Sequence, residues 1–417
     1  MVRASASGGA RAVARCDALA LPPYSDSPEG LTRTYLSRAY YASHDQLATW
    51  MAEAGMSVRR DAAMNLIGRY EGRAAEAPAL VIGSHIDSVR HAGPYDGPLG
   101  IMLGIEAVAA LSASGARMPF AVEVYAFGDE EGSRFPAAML TSRAVAGTLD
   151  PAALMVRDRD GVALADLVDV AAYPSAARAP GSVLAYLEAH IEQGPVLEAE
   201  GLAVGTVTGI AAQLRFEIEL TGMAGHAGTT AMGLRADAVA GMAEMVLAAE
   251  AIAKAGPADL VATVGVVTVP SGAPNVIAGK CAFALDVRAA SAATRDKAAD
   301  DILRRFRAIA NARDLGLSVR QGHDLPASPC DPALMDLLDA ATEAAGHKPF
   351  RLVSGAGHDA MIMAALCPTA MLFLRCRGGV SHNPAEHVEP ADAEAALAVM
   401  SGFIQRLAHT HGASRAA

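Results

Sequence analysis

Residues 80–131, LVIGSHIDSVRHAGPYDGPLGIMLGIEAVAALSASGARMPFAVEVYAFGDEE, decide the fold class. Residues 80–82 form a short apolar run that reads as a buried strand and ends in Gly-Ser-His-Ile-Asp. Residues 99–111 repeat apolar side chains at helical spacing, and Ser114-Gly115 closes the stretch. Residues 120–127 alternate, are rich in β-formers, and end in Gly-Asp-Glu-Glu. Strand, crossover helix, strand predicts a parallel α/β sheet. Ligands bind at the carboxyl ends of such strands, where His85 and the Glu130-Glu131 pair fall.

Outward from there, a helical stretch precedes this unit through residues 50–56. Residues 214–220 alternate Phe, Ile and Leu with Arg and Glu, the pattern of an antiparallel strand with one wet face. A Gly-rich turn, a helix over 235–254, strands over 260–269 and 275–287 and a helix over 294–313 follow, a compact α+β module of ~110 residues. From 331 the α/β character returns, with strands near 350–353 and 370–374 and a last helix to about 407. The expected architecture is an α/β domain with a mixed, largely parallel sheet, interrupted by an inserted α+β domain. Its parts are 1–211, 212–327 for the insertion, and 328–417.

The 417 residues, 52% hydrophobic and 19% charged, allow two to three domains at ~150 residues each and exclude disorder. Acidic residues outnumber basic ones, 45 against 34, and no basic stripe is visible, which argues against a nucleic-acid partner. Five scattered cysteines without a C-x-x-C pair argue for a reducing compartment and against a thiolate metal site. Residues 1–20 contain no continuous apolar region and read as a frayed tail rather than a leader. The most apolar helical stretch, 236–253, is interrupted by Asp237, Glu244 and Glu250, so no membrane span is expected. A cytoplasmic protein is the expectation.

Of twelve histidines, His44, His91, His323, His347, His409 and His411 read as ordinary surface or core residues. His85 and Asp87 point to one side of a strand, so Asp87 could accept the imidazole's second N–H and fix its tautomer. Asp96, in Gly-Pro-Tyr-Asp-Gly-Pro-Leu-Gly, opens a helix, as a turn residue or as a carboxylate shaped to bridge two cations. Adjacent glutamates in a crevice are costly unless cations neutralise them. His190 lies in Leu-Glu-Ala-His-Ile-Glu-Gln-Gly-Pro, and His382 in Gly-Gly-Val-Ser-His-Asn-Pro-Ala-Glu-His, where His387 follows so closely that spacing does not choose between the two. His226, in Gly-Met-Ala-Gly-His-Ala-Gly-Thr-Thr, stands apart in the insertion.

Together these segments resemble the dinuclear metal amidohydrolases of the aminoacylase/carboxypeptidase-type metallopeptidase clan. Within it they are most similar to the ureido-hydrolysing branch of allantoate amidohydrolases, N-carbamoyl-L-amino acid hydrolases and β-ureidopropionases. The motifs are Gly-Ser-His-Ile-Asp-Ser (83–88), Tyr-Asp-Gly-Pro-Leu-Gly (95–100), Asp-Glu-Glu-Gly-Ser-Arg-Phe (129–135), His-Ile-Glu-Gln-Gly-Pro (190–195), Gly-His-Ala-Gly-Thr-Thr (225–230), Ala-Pro-Asn-Val-Ile (273–277), Asp-Val-Arg (286–288), Ser-Gly-Ala-Gly-His-Asp-Ala (354–360) and Ser-His-Asn-Pro (381–384).

The resemblance implies that His85, Asp96 and His190 hold one divalent ion and Asp96, Glu131 and His382 a second, zinc or manganese. Glu130 is the implied general base and Asp87 the support behind His85. Arg288 would clamp the substrate carboxylate, with Gln193, Asn275, Gly357 and His358 completing the substrate contacts. His226 would stabilise the developing oxyanion in the partner subunit of a homodimer formed through the insertion, which would also act as a lid. The implied substrate is a small ureido acid, allantoate first. One departure is Thr-Thr-Ala-Met at 229–232, where relatives commonly carry Pro in place of the Ala.

Overall fold

The computed structural model describes residues 7–270 and 272–414. Its first compact unit runs through Thr208, takes up again at Cys330–Leu352, and continues from Gly357. The second comprises Gly209–Pro329 with Val353–Ala356.

The strands in chain order begin with β1 (Ser57–Arg60), β2 (Leu66–Tyr70), β3 (Ala79–His85), β4 (Ala121–Phe127), β5 (Val183–Ile191) and β6 (Val204–Ile210). Then come β7 (Ala212–Thr221), β8 (Gly225–His226), β9 (Val261–Thr268), β10 (Val276–Ile277), β11 (Lys280–Ala289) and β12 (Gly316–Leu325). The last are β13 (Ser328–Pro329), β14 (Arg351–Ser354) and β15 (Thr369–Leu374). The larger sheet has the order β1-β2-β4-β3-β5-β15-β6, with β13 and β14 pairing to β6. Its centre, β4-β3-β5-β15, is parallel, and the flanking pairs are antiparallel.

Every residue of β3, β4 and β15 is buried, as expected of strands covered on both faces. In register, His85 sits opposite Phe127, and His190 opposite Phe373. Four chain segments therefore leave the sheet from one edge. The helix Pro98–Ala113 covers the sheet as the crossover between β3 and β4, and its residues 98–108 are all buried. The fold is a mixed, largely parallel α/β sheet with a separate antiparallel sheet.

The expected N-terminal tail is a correction. From the Ser7 cap onward, Gly8–Leu19 is a helix with Ala12, Val13, Cys16 and Leu19 buried. Its charges explain why. Glu106, the lone acid in the apolar helix Pro98–Ala113, is 3% exposed and meets Arg11 at 2.6 Å and Arg15 at 2.8 Å. A buried carboxylate needs such partners. Residues 1–6 lie outside the described part.

The second unit holds an antiparallel sheet of order β12-β7-β11-β9 and the helices Ala238–Lys254 and Ala292–Ala312. β11 alternates buried and partly exposed residues along its length, and its Phe283 packs on Phe306. Among the described residues, no helix is long and apolar enough to cross a membrane.

His44 belongs to the core: both ring nitrogens are buried without a hydrogen-bond partner among the described residues, and the ring lies 4.2 Å from that of Tyr40. Burial, reinforced by Arg60 and Arg33, lowers its pKa to about 3. An unfolded histidine titrates near 6.5, so the unfolded chain takes up this proton first as pH falls. The stability carried by the neutral ring is complete above pH ~6.5 and is lost progressively toward pH ~3. Chemical denaturation of His44→Leu against wild type should therefore give similar stabilities at pH 8 and a shallower acid decline in the variant. Identical acid slopes would show that the ring is not held neutral.

Candidate dinuclear metal centre

His85 ends β3 and His190 is the penultimate residue of β5. Glu130 and Glu131 follow β4, behind a buried Asp129 held at φ +63°. Asp96 lies in the turn before the helix Pro98–Ala113, and His382 follows the short helix Arg377–Gly379. These residues converge, all from the first unit.

Asp96 is the common element. Its Oδ1 lies 3.3 Å from His85 Nε2 and 3.2 Å from His190 Nε2, and those two nitrogens are 3.5 Å apart. Its Oδ2 lies 3.4 Å from His382 Nε2, which is 3.4 Å from Glu131 Oε1. A tetrahedral site with bonds of about 2.0–2.1 Å has donor-to-donor edges of about 3.3–3.4 Å. Both donor sets match that spacing, one to each oxygen of a shared carboxylate. Imidazole and carboxylate donors suit zinc and manganese alike.

The histidines are aimed by their backbones. His85 Nδ1 bonds the carbonyl of Asp87 at 3.0 Å, and His190 Nδ1 that of Ile191 at 2.9 Å, so both Nε2 atoms face the centre. The sequence assigns the first of these roles to the carboxylate of Asp87, and this is a correction. That carboxylate lies 3.6 Å from His85 Nδ1 and instead accepts the N–H groups of Glu130 at 3.1 Å and Glu131 at 3.2 Å. Asp87 thus fixes the turn that presents the two glutamates.

Electrostatics argue the same way. Burial opposes a charge on Asp96, yet His190, His382 and His85 hold it well below the usual carboxylate range. Burial pushes Glu130 well above that range, and Glu131 to about 7. His382, hydrogen-bonded to Asp96, is raised to about 9. Asp129 is buried with no hydrogen-bond partner on either carboxylate oxygen among the described residues, and burial raises the equally buried Asp359 to about 8. Three imidazoles are too little positive charge for this many buried acids. Divalent ions at the two donor sets would redress the balance.

Of the other expected residues, Gln193 donates from Nε2 to Asp96 Oδ2 at 2.7 Å. Gly357 adjoins His358, whose ring packs 4.5 Å from that of His190 and is 1% exposed. His358 is thus packed directly behind the candidate donor His190. His387 lies 3.3 Å from Glu389, so geometry selects His382 over it. Cys281, Cys330 and Cys376 are buried, and their thiols are pushed up by burial, which leaves no activated cysteine among them.

In the second unit, pairing of β8 with β10 sets His226 opposite Val276, beside Asn275. Arg288 lies 2.8 Å from Asp286 and donates to the Gly355 carbonyl.

Three supporting residues escaped the sequence reading. Glu386 accepts the N–H groups of Tyr95 at 2.7 Å and Asp96 at 3.1 Å, which pins the turn carrying the shared carboxylate. Ser381 donates to Asp96 Oδ2 at 2.5 Å. Glu188, two residues before His190 on β5, accepts from Ser84, Tyr186 and the N–H of Ala360. Its period-two spacing from His190 was the available signal.

Residues 81–406 match the model of peptidase family M20/M25/M40. The chain belongs to that family. An N-carbamoyl-L-amino acid amidohydrolase of Geobacillus stearothermophilus is 40% identical over 91% of this chain and 94% of its own length. The allantoate deiminase of Arabidopsis thaliana is 38% identical over 95% and 83%. The structure of a hydantoinase/carbamoylase family amidase from Burkholderia multivorans superposes with a TM-score of 0.89 at 32% identity, covering 95% of this chain and 97% of that one. This family member is a hydrolase acting on linear amides.

Gly97 lets the Asp96 turn press on His85: its φ is +83°, and a Cβ there would stand 2.5 Å from the imidazole. Gly97→Ala should cost about 1–3 kcal/mol of stability and reduce bound metal, read by thermal melts and elemental analysis. Unchanged metal content would show that this close approach does not set the site.

Proposed function

We propose that the chain hydrolyses the ureido C–N bond of allantoate, giving ureidoglycine, ammonia and carbon dioxide. The observation that carries the reading is the Glu130-Glu131 pair grouped with His85 beside Asp96. One carboxylate is left to move a proton while its neighbour sits among metal-type donors. His85, Asp96 and His190 would hold one cation and Asp96, Glu131 and His382 a second, which when bound would supply Lewis-acid polarisation of the carbonyl and lower the pKa of water towards about 7.

Glu130 accepts the proton as the water oxygen bonds to the ureido carbon. It returns that proton to the nitrogen as the C–N bond breaks. The carbamate so formed decomposes to ammonia and carbon dioxide. Gln193 and Ser381, both donors to Asp96, hold its carboxylate in one orientation through the cycle.

The relatives' names support this chemistry, and the stretch 375–387 favours allantoate by resemblance. A second reading is an N-carbamoyl-L-amino acid hydrolase, favoured by the name of the Geobacillus relative; a β-ureidopropionase shares the same chemistry. The proposal includes zinc or manganese as the ion pair, Arg288 as the clamp for the substrate carboxylate, and Asn275 as a hydrogen-bonding contact. It also includes a homodimer in which His226 serves the partner's site.

Ammonia release from allantoate, N-carbamoyl-L-methionine and β-ureidopropionate, compared by kcat/KM, tests the substrate. Allantoate should lead; N-carbamoyl-L-methionine far ahead would select the second reading. Glu130→Gln should lower kcat by about 10²–10⁴ with both ions retained. Full activity in that variant would remove Glu130 as the base. Arg288→Lys should raise KM more than it lowers kcat, because an ammonium cannot make the bidentate pair. An unchanged KM would remove the clamp.

A further inference from the structure

A second concave site lies in the first unit, and none of the candidate metal donors is in its lining. It is a cleft of about 320 Å³ whose lining includes Ser37, Arg38, Arg90, Arg134, Asp158 and Arg159. In a chain with eleven more acidic than basic residues, several arginines of the first unit reach a carboxylate, as Arg11, Arg15, Arg69, Arg178 and Arg375 do. Arg38, Arg90 and Arg159 line one cleft and have no side-chain partner among the described residues.

The fourth arginine is fixed. Arg134 donates from Nε to Asp158 at 3.2 Å and from Nη1 to the Tyr35 carbonyl at 2.9 Å. Asp158 is also committed to its own loop, where its Oδ1 accepts the N–H groups of Asp160 at 3.0 Å and Val162 at 2.9 Å. It therefore has little capacity left to neutralise the three unpaired guanidiniums. Asp160 is the other acid in the lining. Ser37 caps the helix Arg38–Glu53 by accepting from Tyr40 N, so the positive end of a 16-residue helix adds to the same field.

Like charges gathered on a concave surface repel unless an anion joins them. One guanidinium satisfies a carboxylate by a two-pronged pair, whereas several guanidiniums suit a tetrahedral dianion with more acceptor oxygens. The volume lies at the small end of ligand pockets, about 300–1,000 Å³, and leaves room beyond the anionic group. We propose that this cleft binds a phosphate dianion, free or carried on a small molecule. The proposal does not depend on the substrate assigned above.

Calorimetric titration of the metal-loaded protein at constant ionic strength tests it, with inorganic phosphate in one arm, ribose 5-phosphate in another and chloride as the control. A double variant, Arg38→Gln with Arg159→Gln, removes two exposed side chains that bond nothing else. His382→Ala controls for phosphate bound at the metal centre. Saturable binding to wild type is expected, weakened by about tenfold or more in the double variant and retained in His382→Ala. Tighter binding of ribose 5-phosphate than of phosphate would assign the cleft to a phosphorylated small molecule, and the reverse to the free anion. No saturable binding by wild type, unchanged affinity in the double variant, or loss of binding in His382→Ala would each overturn the proposal.

Discussion

The carboxylate of Asp96 is buried, and its two oxygens face two different groups of donors. A charge in that position is stable only if its partners stay within a fraction of an ångström of where they stand. The fold around it reads as the means of meeting that demand. The parallel strands β3 and β5 deliver His85 and His190 from one sheet edge, Gly97 removes the Cβ that would hold the turn away, and Glu386 ties down the two N–H groups before it. Asp87 does the same for the glutamate turn across the centre. Support from buried acids is costly unless cations share the site, which joins the architecture to the metal requirement.

Much of this was legible in residues 80–131, because a fully buried parallel strand must be a continuous apolar run and the crossover between two of them a helix. Asp96, Glu130, Glu131, His190 and His382 could be picked out because each sits at the end of such an element or in a Gly- and Pro-bearing loop. What could not be read were contacts set by three-dimensional proximity alone. The carboxylate of Asp87 is two residues from His85 yet bonds a turn more than forty residues on. His358 is far from His190 in sequence and packs on its ring. The N-terminal helix looked like a tail because its reason to fold, Glu106, lies in another element.

The second unit was legible where strands have one dry face, as in β7 and β11. β12 escaped notice because none of its ten residues is fully buried and its alternation of exposed with partly buried residues breaks at 320–322. Arg288 shows a limit of another kind. The family resemblance implied a substrate clamp there, and in the structure the guanidinium is taken up by Asp286, two residues away on β11, and by the Gly355 carbonyl. To act as the proposed clamp, Arg288 would have to exchange these internal partners for a substrate.

The central claim is that five side chains from four distant segments surround two divalent ions with Asp96 between them. Anomalous diffraction from crystals of the manganese- or zinc-loaded protein measures this directly. The account predicts two peaks about 3.5–4 Å apart, one against His85 and His190, the other against Glu131 and His382. A single peak, or ions bound elsewhere with these side chains turned away, would contradict it.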